Sequence, residues 1–178
     1  MGVIIGIDPT QVRTEAEGPA YKLGSIGYEV DSPGVSDSAM GVTGGSASGD
    51  QSCKAYMYVK ANGAVTGAGY ICTINEVYDA AMLTTTTGAA GTLCGARLGV
   101  PMAALADNGY GWVQVYGHGT VRGAASCVKY TALYTTATAG VLDDTATAGF
   151  IRGLVLTETL TSAAAAACVL NWPVVNSV

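Results

Sequence analysis

The sequence is short of charge. Lys, Arg, Asp and Glu together make up 12% of its 178 residues, against roughly 25% in an average soluble protein. Mean hydropathy is positive, at +0.36. A surface this poor in charge does little to keep free monomers apart, so a membrane or an assembly is expected to cover part of it. The long apolar run that a membrane would need is missing. A spanning helix takes about 20 mostly apolar residues. The best stretch, Ala163 to Leu170, is mainly alanine and is stopped by Asn171 and Pro173. The opening "MGVIIGIDPT" lacks the basic start of a signal peptide, and Asp8 interrupts it. Position 6 is glycine, where a myristoylation signal needs Ser or Thr. The expectation is a protein made in the cytoplasm, outside any membrane, that becomes part of an assembly.

Basic clusters are also missing. The eight Lys and Arg residues are scattered, and the formal net charge is -5. Nucleic-acid binding draws its affinity from neutralising phosphates, so no nucleic-acid partner is expected. The five cysteines, Cys53, Cys72, Cys94, Cys127 and Cys168, are odd in number and widely spaced, with no Cys-x-x-Cys. That argues against zinc-ribbon and redox chemistry; they read as reduced, buried, small hydrophobes. There is a single histidine, His118, in "GHG", and it reads as an exposed turn residue. Ser46 and Ser48 in "GGSASG" do not have the glycine spacing of a nucleophile elbow. "GHGTVRG" has the wrong final spacing for a dinucleotide loop and follows no βαβ pattern. Asp143 and Asp144 are adjacent, whereas a calcium loop alternates its ligands, so they read as turn caps. No enzyme, cofactor or metal is expected.

What the sequence does have is glycine, at 25 residues, with abundant threonine and alanine. Turn signals recur every ten residues or so, between short apolar runs. This predicts an all-β protein, a small β-barrel or sandwich of antiparallel strands with little helix. Residues 1–20 lack periodicity and read as an extended N-terminal arm, mobile until bound. Residues 21–178 form the β-rich domain, with 21–98 and 99–178 as candidate sub-modules. Asp31 to Gln51 is a Ser/Gly-rich loop. Asn62-Gly63 predicts a hairpin turn. Strands are expected over 21–30, near 100–106, 111–117, 119–123, 132–134, 149–156 and 167–172. The tight turn Asp107-Asn108-Gly109 leads into a strand that has no clearly wet face. Val113 and Val115 point one way; Trp112, Gln114 and Tyr116 point the other.

The aromatics are ten tyrosines, two tryptophans and one phenylalanine. Tyr and Trp suit surfaces that are apolar yet end in a polar group. Tyr56 and Tyr58 share one strand face, and Trp112 and Tyr116 share another. Two readings stand: core residues on both sides of a closed sheet, or an intersubunit surface, where Tyr and Trp are enriched. With the apolar residues Val3, Ile4, Ile5 and Ile7 of the arm, Tyr56, Tyr58, Trp112 and Tyr116 make up the candidate capsid or subunit contacts.

The phrases "YVKANGAVTGAGYICTI", "ADNGYGWVQVYG", "LYTTATAGVLDD" and "VLNWPVV" resemble those of capsid decoration, or cement, proteins of tailed bacteriophages. The likeness spans about Lys22 to Pro173, is strongest from Ala106 onward, and includes no catalytic motif. It implies a β-rich, oligomeric protein (a dimer or trimer) on the capsid exterior, whose partners are the major capsid protein and further copies of itself. The same features fit another virion component, a head fibre or tail-tube protein, or a glycan-binding module on the virion surface. The arm before Lys22 matches nothing in that family's pattern.

Overall fold

The structure, a computed structural model, describes residues 3–5, 7–30, 53–92, 95–147 and 149–177. Among these, eleven strands form and no helix. In chain order they are β1 (Val3–Ile5), β2 (Ile26–Val30), β3 (Cys53–Ala61), β4 (Cys72–Ile74), β5 (Asp79–Met82) and β6 (Arg97–Pro101). There follow β7 (Tyr110–Gly123), β8 (Leu133–Thr135), β9 (Leu142–Asp143), β10 (Gly149–Leu156) and β11 (Ala164–Ser177). The fold is all-β and its pairings are mainly antiparallel.

The pairings close two rings. One runs β3–β5–β4–β6–β7 and back to β3. The other runs β7–β11–β10–β8–β9 and back to β7. β7 belongs to both and is 14 residues long, well over the usual strand length of about 5–6. β2 extends the first ring from the edge of β3, and β1 lies parallel to β2.

Strand alternation sorts the side chains. In the first ring, Ala55, Met57, Val59 and Ala61 of β3 join Ile74, Val113 and Val115 in the interior. Their neighbours Tyr56, Tyr58 and Trp112 form a separate cluster on the other face. The second ring closes around Val121, Leu133, Leu142, Ile151, Leu156, Cys168 and Leu170. Cys53, Cys72, Cys127 and Cys168 are free thiols; Cys94 lies outside the described residues. So does the Ser/Gly-rich stretch with Ser46 and Ser48.

Three expectations change. The segment 7–24 does not project as an arm. Arg13 and Tyr110 exchange backbone hydrogen bonds at 2.9 and 2.8 Å, and Gly24 N–H donates to Tyr58 O at 2.8 Å. The tyrosine face of β3 gives it apolar surface to cover. The turn at Asn62-Gly63 is present, with Gly63 at φ +84°, but it makes no hairpin. Val65 bridges Leu105 instead, because both edges of β3 are already taken by β2, β5 and β7. His118 is exposed but sits within β7, opposite Val169, since the flanking glycines are absorbed into one long strand.

Candidate interaction face

Trp112 and Tyr116 both lie on β7, but the register with β3 shifts between them, so that Gln114 stands opposite Tyr56 and Tyr116 opposite Ala55, and their environments differ. Trp112 is 1% exposed. Its ring centroid lies 5.1 Å from that of Tyr21 and 5.0 Å from that of Tyr58. Ile7 and Leu23 pack at the border of this cluster. The Tyr56 hydroxyl donates to Glu29 Oε2 at 2.7 Å, and the Tyr58 hydroxyl accepts from Ala20 N–H at 3.1 Å. Burial raises the pKa of the Tyr58 phenol. Tyr56, Tyr58 and Trp112 are therefore internal in this chain, and their expected place on a contact surface is corrected. The chain's own residues 7–24 cover them. Ile7 is half-buried against the cluster. Val3, Ile4 and Ile5 form β1, and only their backbone pairing is described.

Between the two aromatics, Gln114 is buried and turned along the strand. Its amide donates to Tyr116 O at 3.1 Å and His118 O at 2.8 Å. These bonds brace a kink at Gly117, where φ is +93°. A Cβ on Gly117 would stand 2.8 Å from Cys53 O, so the position needs glycine. Here β7 leaves β3 and takes up β11: Tyr116 is the last residue opposite β3, and Gly117 lies opposite Leu170.

From Tyr116 onward the outer side of β7 is open. Tyr116, His118 and Thr120 are exposed and stand opposite Asn171, Val169 and Ala167 of β11. Trp172, next to Asn171, is 43% exposed and Tyr116 is 40% exposed. Trp172 has φ +48°, a left-handed conformation that costs an L-residue roughly 1–2 kcal/mol. The surrounding sheet imposes it. The register of β10 and β11 shifts between Arg152 and Leu154, Gly153 stands there at φ +74°, and a Cβ on it would lie 2.5 Å from Asn171 O. Neither Tyr116–Thr120 nor Ala165–Trp172 contains a formally charged residue. The result is a strip whose own residues are uncharged and include two exposed aromatics; the Glu158 carboxylate reaches its border, accepting from Ala167 N–H at 3.2 Å.

Of the expected contact residues, the structure thus leaves Tyr116 at the surface and adds Trp172, which was not singled out. The signal was Pro173 inside the apolar run "VLNWPVV": a proline in a strand marks an edge or a bulge. Compared with known proteins, the sequence matches no protein-family model and no curated protein.

Proposed function

We propose that this chain is a structural virion protein that binds the outside of a tailed bacteriophage's major capsid lattice and stabilises the head. The observation that carries the proposal is the strip of uncharged residues on which Tyr116 and Trp172 are held outward, the latter at a conformational cost. Backbone strain of this kind collects at functional positions, and tryptophan and tyrosine dominate the energetics of protein contacts. The low charge of the whole chain and its decoration-protein phrases point the same way. A contact made of aromatic and small apolar groups is the kind such a chain can offer. Repetition over many lattice sites turns modest individual contacts into firm attachment.

Co-sedimentation with purified heads lacking this protein tests the reading. The wild type binds, and raising the salt changes binding little, because the residues of the contact strands are themselves uncharged. Trp172→Ala weakens binding about tenfold or more. A wild type that does not sediment with heads contradicts the function, and a Trp172→Ala protein that binds as well as wild type contradicts the face. The exposed Trp172 ring also favours a second reading, a glycan-binding module, since indoles stack on sugar rings. Glycan-array binding lost in Trp172→Ala, with no head binding, selects it.

A further inference from the structure

Away from this strip, three ligating side chains converge on the second ring. Cys127 lies in the connection between β7 and β8, Asp143 ends β9, and Asp144 follows it. Their Sγ and carboxylate oxygens lie within 4.8 Å of one another. Backbone pairing brings them there: Ala124 N–H donates to Leu142 O at 2.7 Å, and Leu160 N–H to Cys127 O at 2.9 Å. Asp144 Oδ2 accepts from Val128 N–H at 2.9 Å, and Asp143 Oδ1 accepts from Asp144 N–H at 2.8 Å.

Adjacent aspartates are common in turns and indicate nothing alone. The independent observation is Cys127. It is 0% exposed, and its sulfur lies against both carboxylates, with a backbone hydrogen bond from Asp144. No described cation pairs with Asp143 or Asp144. Among the described residues, two carboxylates and a soft sulfur donor thus face one another with no cation paired to them.

We propose that Cys127, Asp143 and Asp144 bind a divalent cation of the zinc class. The donor set selects the ion. Calcium and magnesium take oxygen ligands, whereas zinc and cadmium accept thiolate together with carboxylate. Three protein donors leave a fourth, tetrahedral position for water. On binding, the S–H bond is replaced by a sulfur–metal bond and one proton passes to solvent. The metal stays divalent and nothing is oxidised. The site fastens the β7–β8 connection to β9, where the β7–β9 pairing has the single register pair Gly123 and Leu142. It does not depend on the capsid reading.

The test is a Cd²⁺ titration of the full chain carrying Cys53→Ser and Cys94→Ser, which removes the half-buried thiol and the one outside the described residues. One equivalent is expected to bind, with a thiolate-to-cadmium absorption band, release of about one proton and a raised melting temperature. Zn²⁺ should displace it. Adding Cys127→Ser abolishes the band. Adding Asp143→Asn, which keeps an oxygen for Asp144 N–H, leaves the circular dichroism unchanged and weakens binding about tenfold or more. No band, a band that survives Cys127→Ser, or undiminished affinity in Asp143→Asn each overturns the proposal.

Discussion

Trp112 and Trp172 are the chain's two tryptophans, and their surroundings give them opposite consequences when truncated. Trp112→Ala empties an enclosed site between Tyr21 and Tyr58 and is expected to cost about 3–5 kcal/mol. Trp172→Ala, on the surface, changes stability by less than about 1 kcal/mol. Urea unfolding midpoints check this; equal losses contradict it. The buried thiols predict a pH dependence. Burial pushes Cys72 and Cys168 up to about 12 and Cys127 to about 11, whereas an unfolded thiol titrates near about 8.5. The unfolded chain therefore releases these protons first as pH rises. Their contribution is whole below about pH 8.5 and is lost as pH climbs through the folded values. Unfolding midpoints measured from neutral to strongly alkaline pH should fall, and less steeply in Cys168→Ala. An identical alkaline slope in that variant contradicts the assignment.

Among the elements, β7 and β11 decide the architecture, and both are bent by positive-φ residues at the same level. Gly153→Ala, which brings a Cβ to 2.5 Å from Asn171 O, should lose more stability than Gly63→Ala. Both have positive φ, but a Cβ on Gly63 meets nothing within 4 Å; comparable melting temperatures for the two contradict this. The same elements mark what sequence can and cannot tell. β10 was legible at its full length, because "GFIRGLVL" is a short apolar run bounded by turn residues. β7 read as two strands, since Gly117 and Gly119 look like punctuation. Only the unbroken pairing with β11 from Tyr116 to Gly123 shows that the strand continues through them. β11 was read short at 167–172, because alanines such as Ala164 and Ala165 have weak strand preference and are held by pairing with β7. That Tyr56 and Tyr58 share one strand face was legible, but their meeting with Trp112 was not, because it depends on the pairing of β3 with β7. Nor was what covers them, because residues 7–24 carry no periodic signal.

For the molecule as a whole, the first ring is wrapped by its own N-terminal segment and the second presents the strip of Tyr116 and Trp172. Trypsin should cut the free protein slowly at Arg13, whose backbone is bonded to Tyr110 in both directions. Rapid cleavage there would contradict the packing of that segment. If the strip meets a capsid, the consequence is set by linkage. A ligand that binds only the intact lattice stabilises it by about 2.7 kcal/mol per site at a hundredfold excess over Kd. The most direct measurement is thermal DNA release from heads that carry this protein and from heads stripped of it. Decorated heads should release DNA at the higher temperature, and adding the protein back should restore the difference. Release at the same temperature in both would contradict the stabilising role.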